Sequence, residues 1–212
     1  MNLPNKISLT RICMIPVFVL VFYLEAIPFN YVIAAAIFAI AAATDALDGH
    51  IARSRNLVTN LGKFLDPIAD KVLVMIAFVL TLTSKNIFGL VGNWCYITAA
   101  ICISVILARE LIISAFRQIA AASGLVLAAE KLGKYKTVFQ DVCLVVLIVS
   151  ADIAGKAGLI VNIVGLVLFA AATLLTVVSG VSYVVKNKDV LKDTEKKEKA
   201  QEVATEVEKE EN

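Results

Sequence analysis

Four aspartates stand close together in a chain that otherwise avoids charge. Asp45 and Asp48 are three residues apart, and Asp66 and Asp70 are four apart. On a helix either spacing puts the two carboxylates on one face, because residues three or four apart are neighbours one turn on. Four carboxylates in a small volume repel one another unless cations neutralise them, and an all-oxygen donor set points to Mg²⁺ or Mn²⁺. A pair of such ions, about 3.5–4 Å apart, could clamp a diphosphate and stabilise charge on both the transferring phosphoryl group and the leaving oxygen. The simpler alternative pairs Asp45 and Asp48 with Arg53 and Lys71, but the nearby cations do not balance four acids in matched spacing.

The residues between the pairs suit a nucleotide. Gly49 has no side chain and lets a base or ribose approach the backbone, and Ala52 keeps that surface shallow. Arg53 can fork onto a phosphate. Gly62 offers a second bare patch, and Thr59 a hydroxyl. Taken singly, small residues in a membrane helix more often serve close packing.

The surrounding chain must hold these groups at a membrane. Its 212 residues are 59% hydrophobic and 18% charged, with a mean hydropathy of +0.84, too apolar for an ordinary soluble domain. A net charge of +2 supplies no concentrated basic surface for nucleic acid. Cys13, Cys95, Cys102 and Cys143 form no paired motif, and His50 is the one histidine, so zinc knuckles and Ser-His-Asp catalysis have little to build on. Apolar runs at Ile12–Leu24, Tyr31–Ala43, Val72–Leu82, Trp94–Ala108, Val142–Ala151 and Leu159–Val185 give an all-α, polytopic protein of six transmembrane helices. The first run reads as a retained helix rather than a cleaved signal. Lys6 and Arg11, then Arg53, Arg55 and Lys63, then Arg117, Lys131, Lys134 and Lys136 fall on alternate connections, which places both termini on the cytoplasmic side. Residues 1–185 read as the membrane domain. Residues 186–212, which mix Lys and Glu without an apolar face, read as a solvated or weakly helical tail.

Several runs are shorter than the roughly 20 residues a span needs. The second has about 16 apolar residues before Asp45, and a third helix from Asp66 to Thr83 would be about 27 Å long. Both helices must therefore include their carboxylates, which puts the acids at the cytoplasmic headgroup level. A cation transporter would instead spread its acids through the membrane depth and show related halves. A purely packing protein would have no use for them.

Written out, Asp45-x2-Asp48-Gly49-x2-Ala52-Arg53-x8-Gly62-x3-Asp66-x3-Asp70 resembles the signature of the CDP-alcohol phosphatidyltransferase family at every fixed position, eight residues across 26. The opening Asn2 to Arg11, the Ala108-Arg109-Glu110 run with Arg117, and Gly133-Lys134-Tyr135-Lys136-Thr137 look like its phosphatidylglycerophosphate synthase branch. The resemblance covers about residues 2 to 185. It implies a six-helix fold, commonly a homodimer, that transfers a phosphatidyl group from CDP-diacylglycerol to a small alcohol and releases CMP. It further implies that Asp45, Asp48, Asp66 and Asp70 bind two divalent cations, Mg²⁺ or Mn²⁺, with Asp70 also the general base. Gly49, Ala52, Arg53, Thr59 and Gly62 would hold the cytidine diphosphate, with Asn5 and Ser8 closing over it or serving as helix N-caps.

A phosphorylated acceptor needs fixed cations. Arg109 follows about 22 Å of apolar helix, and Arg117 lies about 80° around the same helix. With Lys134 and Lys136 from the next connection they could cup the phosphate of sn-glycerol 3-phosphate. Alternatively the lysines reach toward lipid headgroups and Arg109 pairs with Glu110 or Asp141. Glu110, Gln140 and Asp141 are candidates to orient the cations or to hold the glycerol hydroxyl. Inositol phosphate, serine and a second phosphatidylglycerol are the competing acceptors, serine being disfavoured by the cations. Tyr23, Tyr31, Tyr96 and Tyr183 read as interface anchors.

Overall fold

The computed structural model describes the backbone of residues 3–54, 60–89, 92–122 and 131–187, with side chains at 9–44, 69, 71–89, 92–121 and 133–187. Among these residues every regular element is helical: α1 (Leu3–Tyr23), α2 (Asn30–Ser54), α3 (Asn60–Thr83), the single turn α4 (Lys85–Phe88), α5 (Asn93–Ala122), α6 (Lys131–Ser150) and α7 (Gly155–Lys186). Apart from α4 the shortest is α6, at 20 residues, about 30 Å of rise and the thickness of a bilayer's hydrocarbon. In α5 and α7 the apolar stretch alone is long enough to cross. Among the residues whose side chains are described, the apolar stretches of α1, α2 and α3 are Leu9–Tyr23, Asn30–Thr44 and Lys71–Thr83. The helices reach full length by running on through polar turns: α2 continues past Asp45 and Asp48, and α3 starts ahead of Asp66 and Asp70.

Packing closes the long helices into a ring in which α1 touches α2, α2 touches α6, α6 touches α7, α7 touches α5, α5 touches α3, and α3 returns to α1. Additional contacts of α3 with α2 and α6 draw it inward. The interior is filled by aromatic rings, with Phe18 against Phe22 and Phe38, and Phe169 against Phe78 and Phe88 at 6.0 and 5.8 Å between centroids. Edge-on and tilted pairs of this kind add to the burial of their area.

Helix α7 shows how a membrane environment inverts the usual pattern. Its buried positions are Gly158, Asn162, Gly165, Phe169, Ala172, Thr176, Ser179, Gly180 and Tyr183, mostly small or polar and mostly recurring at alternating steps of four and three. Its exposed positions include Ile160, Val167, Leu174, Val178, Val181 and Val185. Lipid is as apolar as leucine, so large aliphatics gain nothing by facing inward, whereas small residues let backbones approach. A Cβ at Gly165 would stand 2.8 Å from the Leu147 side chain of α6.

Candidate active site

The eight motif residues fall on two successive helices that pack together. Asp45, Asp48, Gly49, Ala52 and Arg53 belong to the last turns of α2, and Gly62, Asp66 and Asp70 to the first half of α3. Their side chains, those of Asn5 and Ser8 in α1, and the whole of Thr59 lie outside the described residues. Because α1 begins at Leu3, Asn5 and Ser8 sit within the helix rather than at its N-cap. The sequence pattern starts the third helix at Asp66, just before Pro67, but α3 starts at Asn60. Pro67 cannot donate to the Lys63 carbonyl and its ring crowds that carbonyl, yet the helix runs through it.

The described part of the site begins one residue after Asp70. Lys71 Nζ donates to Ser114 Oγ of α5 at 2.5 Å. Beside it a cavity of about 30 Å³ lies between α3, α5 and α6, lined by Lys71, Met75, Ile106, Glu110, Lys136 and Gln140 among others. That is room for one or two waters. Glu110 Oε1 accepts from two cations, Arg109 Nη1 at 3.2 Å and Lys136 Nζ. Lys136 is only 3% exposed, so its charge is held by this pairing in a setting where an unpaired ammonium would be costly.

Helix α7 supplies the second set of partners. Arg109 Nη2 donates to Ser179 Oγ at 3.0 Å, and Gln140 Nε2 to Thr176 Oγ1 at 3.2 Å. Arg117 Nε donates to the Tyr183 hydroxyl at 3.3 Å, and its guanidinium carbon stands 5.2 Å from the centre of the Tyr183 ring. This combines a hydrogen bond with a cation–π contact.

Of the four cations read from the sequence as an acceptor cup, Arg109 and Lys136 meet at one carboxylate oxygen. Arg117 stands further along α5 against Tyr183, and Lys134 is exposed on α6. Lys134 and Lys136 were expected in a connection but lie in the first two turns of α6, which starts at Lys131. Nothing from Lys131 onward breaks a helix, and Lys136 and Gln140 recur one turn apart on its buried face. Glu110 was a candidate to orient the cations and, on the alternative reading, to pair with Arg109; it pairs with Arg109 and contacts Lys136 as well.

Sequence reasoning passed over Thr176, Ser179 and Gly180, and it placed Tyr183 at the membrane surface. Tyr183 is 2% exposed and packs edge-on against Phe116 at 5.9 Å. The signal was available: Thr176, Ser179 and Tyr183 repeat at steps of three and four within an otherwise aliphatic helix, which marks a polar stripe turned toward neighbouring helices.

The CDP-alcohol phosphatidyltransferase family model matches residues 1–178. A CDP-diacylglycerol–glycerol-3-phosphate 3-phosphatidyltransferase of Bacillus subtilis (strain 168) is 37% identical over 210 residues, covering 90% of this chain and 97% of that protein. A protein of the same name from Rickettsia bellii (strain RML369-C) is 35% identical over 182 residues, covering 86% of this chain and 93% of its own. Another, from Shigella flexneri serotype 5b (strain 8401), is 40% identical over 184 residues, covering 86% and 92%. With the full aspartate motif on adjoining helices and a family match over most of its length, this chain belongs to the CDP-alcohol phosphatidyltransferase family.

Proposed function

We propose that this protein transfers a phosphatidyl group from CDP-diacylglycerol to sn-glycerol 3-phosphate, giving phosphatidylglycerophosphate and CMP in the synthesis of anionic phospholipid. The observation that carries the acceptor assignment is the gathering of two cations on one carboxylate: Arg109 does pair with Glu110, the alternative weighed from the sequence, but Lys136 shares that oxygen, beside a cavity that Lys71 also lines, one residue from Asp70. Relatives whose names specify this reaction support the same reading. The enzyme is placed in the cell membrane with six spans and both termini and the active site on the cytoplasmic side, following the alternation of Lys and Arg along the chain. A homodimer is the proposed assembly. Residues 188–212, most of the charged tail, lie outside the described residues.

The motif's donor chemistry fits divalent cations, since its four aspartates, carried on two packed helices, offer only hard oxygen donors. Asp45, Asp48, Asp66 and Asp70 would hold a pair of Mg²⁺ or Mn²⁺ ions, which when bound supply electrostatic stabilisation of the transferring phosphoryl group. Asn5, Ser8, Gly49, Ala52, Arg53, Thr59 and Gly62 hold the cytidine diphosphate moiety, the glycines and alanine by close approach and Arg53 by its charge. Of the four cations read from the sequence, Arg109 and Lys136 bind the acceptor's phosphate with Arg117 beyond them on α5, while Lys134, exposed on the other face of α6 from Lys136, does not join them. Asp70 takes the proton from the acceptor hydroxyl as its oxygen bonds to the phosphorus bearing diacylglycerol. The bond from that phosphorus to the bridging oxygen breaks, and CMP leaves with the electron pair.

The test is an acceptor panel. Purified protein in detergent, supplied with Mg²⁺ or Mn²⁺ and CDP-diacylglycerol, should release CMP when glycerol 3-phosphate is added. Inert behaviour with glycerol 3-phosphate but turnover with inositol phosphate, serine or phosphatidylglycerol would overturn the acceptor assignment.

A further inference from the structure

The polar stripe at the end of α7 contributes nothing to the motif, yet each member touches a cation or its neighbour on α5 or α6. Ser179 Oγ accepts from Arg109 Nη2 at 3.0 Å, and the Tyr183 hydroxyl accepts from Arg117 Nε at 3.3 Å beneath the same guanidinium. Between them, Gly180 leaves the space through which Arg109 passes. A Cβ built there would stand 2.9 Å from Arg109 Cγ and 3.1 Å from Arg109 Nε, closer than carbon atoms pack without displacement. Arg109 Nε is itself buried with no hydrogen-bond partner among the described residues. A guanidinium left partly unsatisfied in a membrane protein is expensive, and here it is threaded across a bare backbone with its tip fixed at two points, Glu110 and Ser179.

We infer that Ser179, Gly180 and Tyr183 are positioning residues for the acceptor subsite, setting the reach and direction of Arg109 and Arg117 so that both guanidinium groups address the phosphate of the acceptor. This rests on the reading of those arginines as acceptor ligands. The three α7 residues act through the arginines and not on the substrate. Their effect therefore falls on the Michaelis constant for the phosphorylated acceptor and spares that for CDP-diacylglycerol, whose proposed ligands lie on α1, α2 and α3 and the connection between the last two.

The experiment measures KM for both substrates, together with kcat, in the full-length protein and in Gly180→Ala, Ser179→Ala and Tyr183→Phe, with thermal unfolding of each in the same detergent. Gly180→Ala should raise KM for glycerol 3-phosphate roughly tenfold, the scale of one weakened charge-assisted hydrogen bond. KM for CDP-diacylglycerol and the unfolding midpoint should stay near wild type. Ser179→Ala, which leaves the helix contacts intact, should shift the same constant by roughly three- to tenfold, and Tyr183→Phe, which keeps the ring beneath Arg117, by roughly two- to threefold. Should Gly180→Ala fail to fold, Ser179→Ala alone decides. An unchanged acceptor KM in a folded Ser179→Ala, or equal changes in both substrates' KM, would overturn the inference while leaving the proposed reaction intact. A wild-type protein that makes no product from glycerol 3-phosphate would overturn both.

Discussion

The two ends of the bundle use polar groups in opposite ways. At the end where α1 turns into α2 and α6 into α7, polar residues form small, local hydrogen-bonded closures. Asn30 Nδ2 donates to the Phe22 carbonyl at 2.8 Å, Asn162 Nδ2 to the Ile87 carbonyl at 2.8 Å and to Ser150 Oγ at 3.0 Å, and Asp152 Oδ2 accepts from the Val32 amide at 2.7 Å. These bonds tie chain reversals together and are dominated by neutral groups. At the other end ionised groups share partners: Arg109 and Lys136 crowd one oxygen of Glu110, Arg117 lies over a tyrosine, and Lys71 reaches α5 from the residue after Asp70. A structural end satisfies its polar atoms with neutral neighbours, which is the cheaper solution in lipid. Assembling several like charges at the opposite end makes sense only if an anion is meant to arrive there.

Substitutions at the two ends should therefore separate activity from stability. The largest effect belongs to Asp70→Asn and Asp66→Asn, which should cut CMP release by roughly a thousandfold or more, as loss of a charge acting on the transition state does. Unfolding of the bundle in detergent should be little changed. Next comes Arg109→Ala, expected to lower kcat/KM for glycerol 3-phosphate by roughly a hundredfold. A loss confined to CDP-diacylglycerol use would contradict its placement. At the opposite end the consequence changes kind. Asn162→Ala strips hydrogen bonds from Ile87 and Ser150 and should cost about 1–3 kcal/mol of stability, with kcat per folded molecule unaltered. Smallest is Tyr23→Phe, which removes an exposed 2.7 Å hydrogen bond to Thr83 and should change stability by less than about 0.5 kcal/mol. If Asn162→Ala lost catalysis at full stability, the division between the ends would fail.

How much of this could be read from the chain depends on the kind of signal. The helical class and the approximate positions of the long helices followed from long aliphatic runs such as Leu159–Val185, where hydrophobicity alone decides. That α2 and α3 must extend through their aspartates followed from length, since about 16 apolar residues cannot cross about 30 Å of hydrocarbon. Helix starts were less legible. The sequence pattern starts the third helix at Asp66 rather than Asn60, and it reads Lys131 to Lys136 as a connection, because clustered polar and charged residues are boundary signals whose local preference tertiary packing can override. The pairing of Arg109 and Lys136 with Glu110 needed three dimensions, as Lys136 and Glu110 lie 26 residues apart. The role of α7 was hardest to see. Gly180 and Ser179 look like ordinary small packing residues in a membrane helix, and only the path of Arg109 across them gives them a further meaning.

The claim beneath the whole account is that the carboxylates of α2 and α3 together hold divalent cations. Binding of Mn²⁺ to detergent-solubilised protein, followed by electron paramagnetic resonance in wild type and in Asp66→Asn, tests it directly. The account predicts a pair of bound ions per chain in wild type, close enough for their spectra to couple, with the coupling lost in the variant. Wild-type protein that binds no Mn²⁺, or a variant that binds it with undiminished coupling, would contradict it.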